Sequence, residues 1–422
     1  MDLVIFPRYL QGEINAMCSK SFLQRALAIA SLAQGDSTLT GVRWSNDSEA
    51  AAEVIKKFGA SIINEDTVCR VHPRASIPDE NPILNVGESG LSLRMFSALS
   101  GLLNRDVRIE GVGSLRKRPL KPVIETLAAA GLSVSSDEGH LPLTVKGPHK
   151  GGEIHISGAF SSQVLSGLLI GLPLIPRDSI IFVSDLKSRP YIEMTLEIIA
   201  HFGVEIENRD FHQFRIRGGQ HYQGCSYAIE GDWSAAANHL VAGAIGGDIT
   251  MRGLNMQSKQ ADRAIMQALE AFGAQITVTE KTIQVSKGQC QPFVFDATHC
   301  PDIFPPLVVL AAACQGKSII SGTHRLRDKE SDRQEALIDT FGRLGLYIDV
   351  REDEMHIYGT GALRGGEVYS HNDHRIAMAA SIATCLTTGD LLIADVDCVE
   401  KSYPYFFDDT DVCTELRITK DE

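Results

Sequence analysis

The 422-residue sequence predicts an α/β (α+β) architecture: two domains, each an inside-out barrel, built from six copies of one βαβαββ-type unit with helices buried and sheets outside. Three observations predict it. One grammar repeats along the chain. In each copy a polar, small-residue start leads into an Ala/Leu-rich helix, followed by a turn, a short strand, a loop, a second helix ending near Gly and a β-hairpin. The helix starts fall at Ser19, Ser89, Ser161, Asp232, Asp302 and Asn372, with spacings of 70, 72, 71, 70 and 70 residues, and self-similarity at a fixed period marks a repeated supersecondary unit. The first helix of each copy is apolar or small nearly all round, as in Ala26-Leu27-Ala28-Ile29-Ala30 and Ile376-Ala377-Met378-Ala379-Ala380, which places it in an interior. The strands instead alternate, as in Asp106-Val107-Arg108-Ile109-Glu110 and Asp248-Ile249-Thr250-Met251-Arg252, so one face of each sheet meets water. A doubly wound fold has the reverse pattern, with strands that are apolar throughout.

The second helices end at Phe58-Gly59-Ala60, Ala130-Gly131-Leu132, Phe202-Gly203-Val204, Phe272-Gly273-Ala274 and Leu344-Gly345-Leu346. Gly at that place fits the left-handed residue that closes a helix. The sixth copy stops soon after Lys401 with no hairpin, while Asp2–Phe6 reads as a spare strand with no copy of its own. The N-terminal strand is therefore expected to complete the last copy. The first domain then spans 17–228, and the second is 1–16 plus 229–422. The chain crosses between them twice, a hinge-like arrangement whose cleft would suit a ligand.

Composition is that of an ordinary globular protein, 44% hydrophobic and 22% charged. A net charge of −13 argues against nucleic acid as a partner, which needs a basic footprint. It also requires any anionic substrate to be met by a local cationic pocket. Nine scattered cysteines without a C-x-x-C pair indicate neither a disulfide framework nor a zinc site. The start Met1-Asp2-Leu3 lacks a signal-peptide pattern. The longest apolar run, Val164–Val183, is broken by Pro173, Pro176, Arg177 and Asp178, too short for a membrane span. A cytoplasmic monomer, with no membrane partner, is expected.

Helix N-termini offer free N–H groups and partial positive charge to anions, and reactive side chains gather at these starts. The first copy has Ser19-Lys20-Ser21 and Arg25, the second Glu88-Ser89-Gly90 and Arg94, the third Ser161-Ser162-Gln163. The last three have Gly231-Asp232, Pro301-Asp302 and His371-Asn372-Asp373-His374-Arg375. Ser89, Asp232 and Asp373 are either simple caps or part of a site. Lys20, Arg25 and Arg375 lie in the first turns of buried helices, where a cation needs an anion partner. The loops before the second helices add Arg116-Lys117-Arg118, Ser188-Arg189-Pro190-Tyr191, Arg327–Arg333 and Lys401. Read alone, Arg327–Arg333 is a solvated helix start with Lys329 and Arg333 at i and i+4 on one helical face. In the repeat it becomes the charged loop of the fifth copy.

Ser19-Lys20-Ser21-x-x-x-Arg25-Ala26-Leu27, Asp328-Lys329-Glu330-Ser331-Asp332-Arg333, Asn372-Asp373-His374-Arg375-x-Ala377-Met378 and Lys401-Ser402-Tyr403-Pro404 together resemble the signatures of the 5-enolpyruvylshikimate-3-phosphate (EPSP) synthase family of enolpyruvyl transferases. Ser161-Ser162-Gln163, Ser188-x-Pro190-Tyr191, Glu230-Gly231-Asp232 and Pro301-Asp302 fit as well, so the resemblance covers the whole chain. It implies transfer of the enolpyruvyl group of phosphoenolpyruvate to the 5-hydroxyl of shikimate 3-phosphate, with no metal or organic cofactor. By similarity, Lys20, Gly90, Arg118, Gln163, Arg333, Arg375 and Lys401 would bind phosphoenolpyruvate. Lys20, Ser21, Arg25, Ser161, Ser162, Gln163, Ser188, Asp302 and Lys329 would bind shikimate 3-phosphate. Asp302, Glu330 and Lys20 would be catalytic, Asp302 on the hydroxyl side and Glu330 on the methylene side.

Four departures from the family pattern stand out: Met17-Cys18 in place of Pro-Gly, Glu88 in place of Asn, Arg325 in place of an Asn found in some members, and Trp233 in place of a small residue. Cys18, beside Lys20 at a crossing point, is a candidate reactive thiol. The UDP-N-acetylglucosamine enolpyruvyl transferases share the fold but usually carry a Cys in the loop that here reads Ser114–Arg118. A non-catalytic binding protein of the same fold is the remaining alternative.

Overall fold

The computed structural model describes residues 1–73, 81–159, 162–327 and 329–416. The chain divides into two compact units, Cys18–Glu230 and Met1–Met17 with Gly231–Glu422. Among the described residues no helix is long and apolar enough to cross a membrane.

The unit Cys18–Glu230 holds three repeats. Their first helices are Lys20–Ala30, Gly90–Leu99 and Gln163–Gly171. From Phe22 to Ala30 and from Leu91 to Leu99 every residue is buried, which is why these stretches carry small and apolar side chains on all faces. Helices Gly90–Leu99 and Gln163–Gly171 pack on one another, closely enough that a Cβ on Gly167 would lie 2.4 Å from the Met95 carbonyl oxygen. The second and third of these helices each connect a parallel strand pair. Ile83–Asn85 lies beside Asp106–Glu110, and Gly152–Ser157 lies beside Ser179–Ser184. The third such pair is closed from the far end of the unit: Ser226–Ala228 pairs with Ser37–Thr40, with Tyr227 opposite Leu39. Antiparallel hairpins complete three four-stranded sheets. Their strands alternate buried and exposed, as Val107 and Ile109 do between Asp106, Arg108 and Glu110.

The other unit repeats the plan around helices Trp233–Gly246, Phe304–Ala312 and His374–Ala383, which are buried along their whole length. The N-terminal segment supplies two strands. Leu3–Ile5 pairs antiparallel with Leu391–Ala394, in the place of the hairpin that the sixth repeat lacks. Arg8–Asn15 runs parallel to Gly247–Arg252 and opens the fourth repeat's sheet; the sequence pattern did not suggest this second strand. The chain beyond Lys401 forms a short helix, Phe406–Asp411, and a strand, Thr414–Leu416, that pairs with Arg8–Leu10.

Gly59, Gly131, Gly203, Gly273 and Gly345 all adopt positive φ, between 81° and 97°. The shared phase of the second helices thus rests on one backbone requirement, met five times.

Candidate functional site

In the unit that includes Gly231–Glu422, charged side chains from the fifth and sixth repeats converge on one guanidinium. Arg333 is 1% exposed. Its Nε donates to Asp373 Oδ2 at 2.8 Å, Nη1 to Asp302 Oδ1 at 2.9 Å and Nη2 to Glu330 Oε2 at 2.6 Å. Asp302 also accepts from Arg375 Nη2 at 3.0 Å and lies 3.7 Å from Lys329 Nζ. Lys401 Nζ stands 4.0 Å from Glu330 Oε1. Asp302 and Lys329 keep about a quarter of their side-chain surface exposed, at 24% and 27%, so the cage is open to solvent at these two residues.

The backbone explains the convergence. Asp332 caps the helix Arg333–Arg343, accepting from Glu335 N, so the helix starts at Arg333 itself. Lys329 lies in the bend before it. The expected i, i+4 pairing of Lys329 and Arg333 on one helical face is therefore corrected: the two cations meet at Asp302 from a loop and a first turn. Asp373 caps the helix His374–Ala383 through Arg375 N at 3.0 Å and accepts from Ser331 Oγ at 3.1 Å. It is therefore both a cap and a wholly buried counter-charge to Arg333. Its cap, Asp373, falls one residue after the expected start Asn372, which is left-handed with φ 54°. Asp302 sits in the single 3-10 turn Pro301–Ile303, just ahead of the helix Phe304–Ala312.

Charge balance sets the protonation states. Burial works to raise the Asp302 pKa, but Arg375, Lys329 and Arg333 outweigh it and hold the carboxyl well below the usual carboxylate range. Burial works to lower the Arg333 pKa, and Asp373, Glu330 and Asp302 overcome it. Burial brings the Lys329 ammonium down to about 8, with Arg333 adding to the shift against the opposing Asp302. Behind the cage, Asp262 is pushed up to about 6 by burial and then by Asp302; it accepts a short hydrogen bond from Ser234 Oγ.

In the unit Cys18–Glu230 the candidate residues again stand at helix starts. Lys20, the first residue of its helix, donates to Asp47 Oδ2 at 2.9 Å. Arg25, one turn on, is fully buried. Its Nε donates to Thr195 Oγ1 at 2.8 Å, Nη1 to the Ser21 carbonyl at 2.8 Å and Nη2 to Ser166 Oγ at 3.4 Å. Burial lowers its pKa to about 10. Among the described residues it has no carboxylate partner. Arg94 Nη1 donates to Gln163 Oε1 at 3.0 Å and to the Gly90 carbonyl at 3.1 Å. Arg118, 7% exposed, follows the 3-10 turn Gly113–Lys117. A Cβ on Gly90 would lie 2.8 Å from Arg94 Nη1 and 3.1 Å from Arg118 Nη1. Gly90→Ala should therefore displace one or both guanidiniums, and a rise in KM for an anionic substrate, measured beside an unchanged melting temperature, is the expected result.

Ser162 stands at the N-cap position of the helix Gln163–Gly171, and Ser188, left-handed at φ 55°, at that of Arg189–His201. A left-handed non-glycine residue costs strain of a kind that gathers at functional sites. Ser161 lies outside the described residues, as does Asp328. Ser89 is structural. Its hydroxyl accepts from Ser92 N and donates to Gln24 Oε1, which Ser92 Oγ also reaches, at 2.8 Å. Asp232 likewise caps its helix through Ala235 N.

The departures also find places. Trp233 is fully buried, its Nε1 donating to the Asn255 carbonyl. Cys18 is 3% exposed, with Sγ 3.0 Å from the Arg43 carbonyl oxygen and 3.2 Å from Arg43 N; it is not the open thiol that its neighbour Lys20 suggested. Glu88 Oε1 accepts from Ser114 N at 3.0 Å. Sequence reasoning missed Asp47, Gln24, Thr195 and Ser166, the partners that orient Lys20, Ser89 and Arg25. Gln24 did carry a signal, as a polar residue inside an apolar helix.

The model of the family "EPSP synthase (3-phosphoshikimate 1-carboxyvinyltransferase)" matches residues 6–410. The 3-phosphoshikimate 1-carboxyvinyltransferase of Clostridium perfringens (strain SM101 / Type A) is 38% identical over 410 residues, covering 96% of this chain and 97% of that one. The same-named protein of Clostridium kluyveri is 36% identical over 406 residues, covering 96% and 95%. A solved structure of EPSP synthase from Acinetobacter baumannii superposes with a TM-score of 0.82 at 23% identity, covering 98% of this chain and 99% of that one. That likeness shows the fold: repeated units with inner helices and outer sheets.

Proposed function

The chain belongs to the EPSP synthase family and has its 3-phosphoshikimate 1-carboxyvinyltransferase activity, a step of the shikimate pathway, and from that premise we propose how its own residues divide the work. The substrates are phosphoenolpyruvate and shikimate 3-phosphate. The 5-hydroxyl oxygen bonds to C2 of phosphoenolpyruvate while C3 gains a proton, giving a tetrahedral intermediate. Then C3 returns a proton, the C2–O bond to phosphate breaks, and inorganic phosphate leaves.

The observation that carries the assignment is the Asp302–Arg333–Glu330 arrangement. Two carboxylates 2.9 Å and 2.6 Å from one buried guanidinium have Arg375, Lys329 and Lys401 about them. Phosphoenolpyruvate would draw on Arg333, Arg375 and Lys401, with Lys20, Arg118, Gln163 and the open Gly90 corner. Its anionic groups compete with Asp302 for Arg333 and Arg375. That competition relieves the charge neutralisation that keeps Asp302 a weak base in the free protein, and Asp302 then accepts the hydroxyl proton. Glu330, 12% exposed, exchanges the proton at C3, with Lys20 assisting. The cations stabilise charge that develops on the intermediate. Arg25, Ser21, Ser161, Ser162, Gln163, Ser188 and Lys329 would hold shikimate 3-phosphate; the buried Arg25, without a carboxylate partner among the described residues, supports an anion there.

Lys329 supplies a pH test. It is charged below about 8 in the free protein, so affinity that depends on its ammonium is present at neutral pH and lost above 8. The KM for shikimate 3-phosphate is expected to rise between pH 7 and 9 in the wild type. Lys329→Arg, whose charge persists, should flatten the rise; an identical limb in the variant would remove Lys329 from the substrate.

Incubating the protein with phosphoenolpyruvate and shikimate 3-phosphate and following phosphate release tests the whole reading. Release with UDP-N-acetylglucosamine as acceptor, and none with shikimate 3-phosphate, would overturn it. All nine cysteines are free thiols, which supports a reducing, cytoplasmic setting.

A further inference from the structure

Glu88 stands in the turn between the strand Ile83–Asn85 and the helix Gly90–Leu99. An extra carboxylate beside anion-binding arginines works against their purpose, yet its geometry gives it a use. Its Oε1 accepts from Ser114 N at 3.0 Å, while the Gly87 carbonyl accepts from Val112 N at 2.9 Å. Two bonds thus tie the 87–88 turn to the start of the loop that ends at Arg118. The apposition is close: Gly113 is left-handed at φ +55°, and a Cβ there would lie 1.2 Å from Glu88 Oε1. Two residues beyond Glu88, Gly90 presents its open face to Arg118, whose Nη1 would stand 3.1 Å from a Cβ at that position. The short segment 87–90 therefore meets the 112–118 loop at both ends, through Glu88 at its start and Gly90 at Arg118. Between the two contacts, Arg116 and Lys117 are exposed, and Arg118 N donates to the Leu115 carbonyl at 3.3 Å, a one-turn link with little rigidity of its own.

We propose that Glu88 is a positioning residue for phosphoenolpyruvate: by holding the Ser114 amide it fixes the Gly113–Lys117 turn so that the Arg118 guanidinium stays beside Gly90, where the substrate anion binds. This rests on the assignment of Arg118 to phosphoenolpyruvate made above. A charge-assisted bond to a backbone N–H is among the stronger hydrogen bonds available.

Steady-state kinetics on four variants test it. Glu88→Ala should raise the KM for phosphoenolpyruvate about 10-fold, the loss expected for one charged hydrogen bond, while kcat and the KM for shikimate 3-phosphate stay within about two-fold. Glu88→Gln, whose amide oxygen can still accept from Ser114 N, should restore most of the wild-type value. Glu88→Asp, one methylene too short, should resemble the alanine variant and decides the matter if that variant does not fold. Arg118→Met is the control. If it raises the KM for phosphoenolpyruvate but Glu88→Ala and Glu88→Asp do not, Glu88 has no positioning role. If Arg118→Met leaves that KM unchanged, the Arg118 assignment falls and the role of Glu88 falls with it. Equal rises in both substrate KM values with a lowered melting temperature would make Glu88 a general stabiliser and also overturn the proposal.

Discussion

Replacing Glu330 by Gln should lower kcat about 10²–10⁴-fold, the range for removing a positioned acid–base group, while the KM of each substrate changes only a few-fold. The substitution is nearly isosteric. The amide oxygen can still accept from Arg333 Nη2, as the carboxylate does at 2.6 Å, so the cage keeps its geometry. What disappears is a group that can give and take a proton at the methylene carbon of phosphoenolpyruvate. The split between kcat and KM is the discriminating measurement. A large KM increase with kcat unchanged would make Glu330 a structural partner of Arg333. Product formed in D2O gives a second reading: proton exchange at C3 passes through Glu330, so deuterium entry into the vinyl group should slow in step with turnover.

The sequence alone made much of this legible, for reasons visible in particular residues. The 70-residue period appeared because each repeat needs a Gly in left-handed conformation at the close of its second helix, and Gly59, Gly131, Gly203, Gly273 and Gly345 all meet that need. The buried helices were legible because small and apolar residues cover every face. The family motifs marked Lys20, Arg25, Asp302, Glu330, Arg333 and Arg375. Pairings between distant residues were not legible. Nothing local tells that Arg8–Asn15 lies beside Gly247–Arg252, that Asp47 meets Lys20, or that Gln24 joins two helices through Ser89 and Ser92. The run Arg327–Arg333 misled in one respect. Periodicity extended the helix back to Lys329, whereas the capping chemistry of Asp332 starts it at Arg333, since an N-cap residue is itself non-helical.

The largest loss of stability is expected from Arg333→Met. Removing a buried cation while its partners remain typically costs about 3–5 kcal/mol, because the charges left behind have neither water nor counter-ion. Here Asp373 is wholly buried, Glu330 is 12% exposed and Asp302 24% exposed, so Asp373 bears most of the penalty. The sign of the pH dependence follows. In the wild type the Asp302 pKa is depressed, so its contribution is present above the unfolded carboxylate value of about 3.9 and is lost only as pH falls through the lower folded value. In Arg333→Met the carboxylates left behind are buried without that counter-ion, which disfavours their charged form. Such groups bind more protons folded than unfolded, so stability falls as pH rises above about 4. Urea unfolding between pH 5 and 8 should therefore show the variant's deficit growing with pH, and Arg333→Met/Asp373→Asn should recover a good part of it at pH 8. A deficit independent of pH, or no recovery in the double variant, would mean that Arg333 stabilises the unit by packing and not by charge. Activity should be lost in both variants, since the same guanidinium that neutralises Asp373 is the one assigned to the substrate anion.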